Sequence, residues 1–117
     1  MNDTTLYLKH HDEIYVIDLS LTLYFMADDH YTYVSYSTGA NFMIPSGLNH
    51  IEEVIVSKSM ASFKRLGRKY IVNLDALHSI STSKQQLTLF TNTNKIVMLH
   101  LPKTALRELM DSLPCNV

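Results

Sequence analysis

The chain has 117 residues, of which 46% are hydrophobic and 18% charged, and its formal net charge is −1. This composition excludes a disordered chain, and the length fits a single domain over residues 1–117, with a core at about residues 6–113. Because the N-terminus is polar, no apolar stretch is long enough to span a membrane and the one cysteine is Cys115, we expect a cytoplasmic protein without intrachain disulfides.

The first half of the sequence predicts five short strands, because runs rich in β-branched and aromatic residues alternate with polar turns. Residues 6–9 and 14–19 predict a hairpin around the HHDE turn. Three further strands are predicted at residues 23–26, 31–36 and 42–44, separated by the ADDH and STGAN turns.

A short helix is predicted after these strands, within residues 46–56. Leu48, Ile51 and Ile55 recur at the helical spacings of three and four, so this helix has one apolar face. Ser46 precedes the apolar residues and is the expected N-cap. We therefore expect the helix to lie on the sheet.

The second half of the sequence predicts more strands and a closing helix. The strands are expected at residues 70–72, around Ile80, and at residues 87–90 and 96–99, which flank the TNTN turn. Many short strands with two short helices favour a mainly β, antiparallel architecture over a parallel α/β one. The closing helix is predicted at residues 102–113, and its apolar face consists of Ala105, Leu106, Leu109, Met110 and Leu113.

Residues 63–80, FKRLGRKYIVNLDALHSI, combine an aromatic and a basic residue, a basic turn, and an aromatic-aliphatic strand that ends in Asn. This segment resembles the most recognisable part of the LytTR family of DNA-binding domains. Three other segments resemble the family in the same order: LYFMADDHYTYVSYSTG, IPSGLNHIEEVI and LPKTALRELMDSL. The four matches together cover about residues 6–113, and their order makes the resemblance specific.

The resemblance implies a fold and a function. The fold is an elongated, antiparallel β-β-β sandwich of small sheets with two short helices. The function is sequence-specific binding of double-stranded DNA in transcriptional regulation, with loops inserted into successive major grooves. A homodimer on repeated half-sites is expected, since one small module rarely gives enough specificity.

The resemblance also implies a signalling partner. LytTR domains often form the output half of a two-component response regulator, and no receiver domain fits on a chain of this length. The chain therefore either stands alone or was cut from a longer regulator. A sensor kinase or a receiver on another chain is a partner that the resemblance implies.

Three loops correspond to the positions that contact DNA in the family. The first contains His30, Tyr31 and Thr32, which can donate hydrogen bonds to phosphates or base edges. In the third, the family commonly has Ser followed by basic residues. Here Pro102 replaces the Ser, Lys103 matches the first basic position, and a threonine occupies the second.

The second loop is the most basic part of the sequence. Where the family commonly has Arg, an apolar residue, His, Arg and Ser, this chain has Arg65, Leu66, Gly67, Arg68 and Lys69, preceded by Lys64. Arg68 keeps the family's basic position, and a planar guanidinium can bind guanine O6 and N7 together. We expect Arg68 to contact a base, and Lys64, Arg65 and Lys69 to contribute to DNA binding.

Each of these residues also has a structural interpretation. Arg68, Lys64 and Lys69 can be solvated turn cations that contribute only diffuse attraction to DNA. Arg65 can pair with an acid across the sheet. Tyr31 can be an aromatic residue that packs on the sheet.

Metal binding and catalysis have no support in the residue pattern. His10 and His11 are adjacent, so we expect their side chains on opposite faces of a strand, and no HExxH motif accompanies them. The carboxylates of residues 28–29 and 52–53 are also expected to face apart, unlike a converging catalytic pair. We therefore predict that the protein is not an enzyme and needs no cofactor or metal.

A second function is compatible with the same fold. The chain can be a β-rich protein-interaction module that has lost DNA binding, as suggested by its near-neutral charge and by Gly67, Lys69, Pro102 and Thr104, which depart from the family pattern. The charge distribution favours DNA, because residues 58–69 contain five cations and no acid.

Overall fold

The computed structural model describes residues 4–117, and in this part of the chain the strands form three small antiparallel sheets. The strands are β1 (Thr5–His10), β2 (Glu13–Asp18), β3 (Thr22–Asp28), β4 (Tyr31–Tyr36), β5 (Asn41–Ile44), β6 (Phe63–Leu66), β7 (Tyr70–Asn73), β8 (Leu77–Ser81), β9 (Gln86–Phe90) and β10 (Ile96–His100). The α-helices are α1 (Leu48–Ser57) and α2 (Lys103–Ser112), and short 3-10 helices cover Leu19–Leu21 and Leu74–Ala76.

The predicted strands are confirmed, but the sequence pattern missed β6 and reduced β8 to the surroundings of Ile80. Both strands lie at the edge of a sheet, in the orders β5-β4-β3-β7-β6 and β10-β9-β8. Edge strands face solvent and tolerate polar and charged side chains. Because β6 contains Lys64 and Arg65 and β8 contains His78 and Ser79, neither strand has the apolar pattern by which strands are predicted.

The predicted N-cap of the first helix was wrong by one residue. Helix α1 begins at Leu48, and its N-cap is Gly47, which has no side chain to cap it. Ser46 is not the cap because its carbonyl accepts a hydrogen bond of 2.7 Å from the Thr32 hydroxyl. This bond holds residue 46 against strand β4, so the helix starts further along.

The five-stranded sheet is the middle layer of a three-layer sandwich. The β1–β2 hairpin and α1 pack on one face, where Ile71 is buried, and the β8–β10 sheet and α2 pack on the other, where Tyr70 and Val72 are buried. The alternation along β7 follows the two-residue period of a strand, so one strand supplies both cores. The molecule measures 49 × 28 × 24 Å, which confirms the predicted elongated β-β-β sandwich.

Asn73 connects the neighbouring strands β3 and β7, which are far apart in the sequence. The sequence predicts a structural role for it, because an Asn side chain at a strand end can bond to neighbouring backbone. Asn73 is buried, its amide donates to the Thr22 carbonyl at 3.0 Å, and its carbonyl oxygen accepts from the Asp75 amide at 3.0 Å. The structural role is confirmed.

Replacing Asn73 by alanine should lower the free energy of unfolding by about 1–2 kcal/mol, because two backbone groups lose their partners at a buried site. Urea denaturation measures this loss. The exposed Asn92 is the control, and Asn92→Ala should change stability by less than about 0.5 kcal/mol. Equal denaturation midpoints for the two variants would show that water replaces both bonds without cost.

Candidate nucleic-acid interface

Two of the three predicted loops meet at one end of the five-stranded sheet. Strands β3 and β7 are antiparallel neighbours in which Met26 pairs with Tyr70. The β3–β4 turn and the β6–β7 turn therefore leave the sheet at the same end. The Ala27 amide donates to the Lys69 carbonyl at 2.7 Å, which joins the two turns directly.

The third loop, between β10 and α2, lies against the β6–β7 turn. A side-chain carbon added at Gly67 would be 3.9 Å from Cβ of Ala105 on α2. A cavity of about 380 Å³ lies between the two segments, with Arg68 and Lys69 on one side and Pro102 and Thr104 on the other. Segments far apart in sequence are thus contiguous, and we call this end of the molecule the loop end.

Gly67 allows the β6–β7 turn to be tight. Its φ is +67°, in the left-handed region that glycine enters without steric cost. Histidine, the residue that the family commonly has at this position, is among the non-glycine types that adopt positive φ more often than most. The departure from the family pattern at Gly67 is therefore compatible with an unchanged turn.

Among the predicted site residues, three exposed cations lie at the loop end: Arg68, Lys69 and Lys103. Within residues 4–117 none of them forms a salt bridge, and the Lys69 ammonium lies 5.7 Å from the centre of the Tyr70 ring. Lys64 is placed differently. It is half-buried on β6, on the sheet face where Leu66 packs towards α2.

The β3–β4 turn is mixed in charge. The His30 side chain is 91% exposed, and its Nε2 lies 3.7 Å from a carboxylate oxygen of Asp29. Asp28 is exposed beside it, and Tyr31, which is 51% exposed, begins β4. His30 and Tyr31 are accessible to a ligand, but the two carboxylates reduce the positive potential of this turn.

The predicted contact between Thr32 and DNA does not fit the structure. Thr32 is completely buried, and its hydroxyl donates to the Ser46 carbonyl at 2.7 Å. The side chain therefore fastens the segment before α1 to strand β4. The Tyr-Thr pair is divided between two roles, since Tyr31 faces solvent and Thr32 faces the core.

Arg65 has the structural role that the sequence left open, although its acidic partner lies on a helix rather than across the sheet. The side chain is 20% exposed, and its Nη1 contacts Glu52 Oε1 at 3.1 Å and Asn49 Oδ1 at 2.9 Å, both on α1. Its Nε donates to the Gly67 carbonyl at 2.8 Å, and its Nη2 donates to the Arg68 carbonyl at 3.2 Å.

Buried aromatic residues support the start of β7 below the loop end. The Tyr24 ring lies 6.0 Å from the Tyr70 ring and 6.1 Å from the Tyr33 ring. Burial, followed by the neighbouring Tyr33, raises the pKa of the Tyr24 hydroxyl above its ordinary value. The Tyr24 and Tyr70 rings thus pack together where β7 follows the basic turn.

Two exposed basic residues near the loop end were not predicted as site residues. His100 ends β10 and lines the cavity, and Arg107 lies one helical turn after Lys103 on α2. The spacing of four between Lys103 and Arg107 is a signal that the sequence offered. His100 had no such signal, because its position depends on the contact between β10 and the β6–β7 turn.

The histidine pair is arranged differently from the prediction. The His10 and His11 rings are 4.3 Å apart, because His11 has a φ of +57° and belongs to the turn rather than to the strand. Residues 4–117 contain no group of three His, Cys, Asp or Glu side chains that could hold a metal ion. Neither the length nor the hydrophobicity of any helix in this part of the chain matches that of a membrane-spanning segment.

Comparison with known proteins identifies a matching family and a solved structure of similar fold. The family model of the LytTr DNA-binding domain matches residues 12–113. A solved LytTr DNA-binding domain of a putative methyl-accepting/DNA response regulator from Bacillus cereus is similar in structure, with 20% sequence identity and a TM-score of 0.66. The alignment covers 96% of this chain and 98% of that one. No curated protein matched the chain.

Proposed function

The chain belongs to the LytTR family of DNA-binding domains, and from this we propose that it regulates transcription by binding specific sequences of duplex DNA through its loop end. The observation that supports the proposal most directly is the junction of the three loops. The bond from Ala27 to Lys69 and the shared cavity between the β6–β7 turn and the segment before α2 bring three separate basic or polar segments together.

The exposed side chains suggest a division of roles. Arg68 is proposed to contact a guanine edge in the major groove, because its guanidinium is exposed and outside any salt bridge of residues 4–117. Lys69 and Lys103 are proposed to contact phosphates from the loop end, and the half-buried Lys64 to contact a phosphate from β6. His30 and Tyr31 are proposed to donate to phosphates or base edges. The loops are proposed to enter successive major grooves of one duplex.

Two copies on repeated half-sites are proposed as the functional unit. A module of this size buries about 600–1,000 Å² on DNA, which rarely gives sufficient specificity alone. We propose a cytoplasmic regulator that is not an enzyme and whose input comes from a sensor kinase or receiver on another chain.

The alternative function, a protein-interaction module, is favoured by one observation. Asp28 and Asp29 are both exposed at the β3–β4 turn, where they oppose the approach of a phosphate. A protein partner with a basic surface would fit that turn better than DNA does.

Salt titration tests the proposed function against the alternative. Lys64, Lys69 and Lys103 each release counterions when they neutralise a phosphate, so the slope of log affinity on log salt should be about −2.7 for one copy on a single half-site. Affinity for a duplex selected from a random pool should then fall roughly 40-fold between about 50 and 200 mM salt. Failure to bind any duplex of the pool at the lowest salt would favour the interaction module.

A further inference from the structure

We infer that Arg65 is a positioning residue that does not itself contact DNA. By linking the β6–β7 turn to helix α1, it holds this turn in the conformation that recognises DNA. The inference rests on the proposed function and assigns a different role to one of the predicted DNA contacts. It also makes Glu52 and Asn49, which are on a helix outside the loop end, part of DNA recognition.

The hydrogen bonds of Arg65 connect the helix to the turn. On one side its Nη1 donates to Asn49 Oδ1 at 2.9 Å and to Glu52 Oε1 at 3.1 Å. On the other side its Nε and Nη2 donate to the carbonyls of Gly67 and Arg68 at 2.8 and 3.2 Å. All three guanidinium nitrogens are thus engaged, so the side chain has few donors left for a phosphate or a base.

These bonds determine where Arg68 is presented. The Gly67 and Arg68 carbonyls accept from the Arg65 guanidinium, while the Arg68 side chain is exposed. A planar guanidinium fixes two consecutive carbonyls at once, which a lysine ammonium cannot do with the same geometry. Because recognition of a base requires donors held to within a fraction of an ångström, a fixed turn contributes to selectivity.

The charge of Arg65 is neutralised inside the protein. Its side chain is 20% exposed and is paired with Glu52 on α1. The pair therefore adds little to the positive potential that attracts a duplex. A direct DNA contact would require Arg65 to leave its acidic partner and both turn carbonyls.

The Ala27 amide is a reporter of the turn that does not need DNA. It donates to the Lys69 carbonyl at 2.7 Å, so its hydrogen exchange is slow only while the turn is docked on β3. In the free protein, Arg65→Lys and Glu52→Gln should each reduce the protection of this amide about tenfold. Lys64→Ala, on the same strand, is the control and should leave it unchanged.

The direction in which DNA binding changes in the Glu52→Gln variant distinguishes a positioning role of Arg65 from a direct DNA contact. If Arg65 contacted a phosphate, removing Glu52 would free the arginine and delete a nearby negative charge, and affinity for every duplex would rise. If Arg65 positions the turn, preference for the best site over random duplex should fall about tenfold, with the salt slope unchanged. Arg65→Lys should lower the preference in the same way.

The results discriminate between failure of this inference and failure of the proposed function. Unchanged protection of the Ala27 amide in both variants, or a uniform rise in affinity for Glu52→Gln, would overturn the positioning role. Absence of duplex binding by the unmodified protein would overturn the proposed function instead. The exchange experiment would still decide whether Arg65 fixes the turn.

Discussion

Replacing Phe25 by alanine should lower the free energy of unfolding by about 3–5 kcal/mol. Phe25 is completely buried on β3, where it pairs with Val34 on one side and Ile71 on the other. Its ring lies 6.0 Å from the Phe63 ring, beneath α1. The loss combines the transfer of a phenyl ring from the core with the cavity that remains, and it is a large part of the 5–15 kcal/mol that stabilises an ordinary domain.

Chemical denaturation with an exposed residue as the control measures this effect. Met98 is 49% exposed on β10, so Met98→Ala should change stability by less than about 0.5 kcal/mol. Phe25→Leu should lie between the two variants, because leucine fills more of the space. A Phe25→Ala protein as stable as Met98→Ala would mean that the core below α1 collapses without cost.

Replacing Arg68 by alanine should weaken binding to the best duplex by about 1–3 kcal/mol and remove sequence preference at one position. The expected loss is confined to the best site, because the other bases already lack the bidentate contact. Lys103→Ala is the matched control, since it also removes an exposed cation from the loop end. This variant should weaken all duplexes nearly equally and reduce the salt slope by about one unit.

Competition binding with a library of sites compares the two variants. With Arg68→Ala, the selected sequences should become more variable at one base position. With Lys103→Ala, the base preference at every position should be retained. An Arg68→Ala protein that retains its full sequence preference would show that another residue recognises the base. A Lys103→Ala protein that loses preference at one position would reverse the assignment of the two cations.

The strands with apolar or aromatic runs were predictable from the sequence, whereas β6 and most of β8, two edge strands rich in polar residues, were not. Burial on one or both faces gives β3, β4 and β9 the apolar patterns that sequence analysis uses. Strand β6 has two cations in four residues, because one side of it is free of sheet partners. The boundary of α1 also escaped prediction, since it depends on a hydrogen bond between Thr32 and Ser46.

The loops of the site were predicted by resemblance, whereas the role of each side chain required tertiary contacts. Thr32 and Arg65 carry polar groups in the expected loops, and only the packing of the segment before α1 and of α1 itself shows that both are occupied within the protein. The position of His11 depends in the same way on a positive φ that the residue type does not specify.

The pairing of β3 with β7 determines when the domain can fold during synthesis. Strand β3 is complete at Asp28, but its second neighbour begins only at Tyr70, and the bond between Asn73 and Thr22 joins residues 51 apart in the sequence. Until β7 leaves the ribosome, the nascent chain has an open β3 edge and a half-covered core. Such long-range closure is slow, on the order of milliseconds to seconds, so the emerging N-terminal half is the stage at which a chaperone has most to protect.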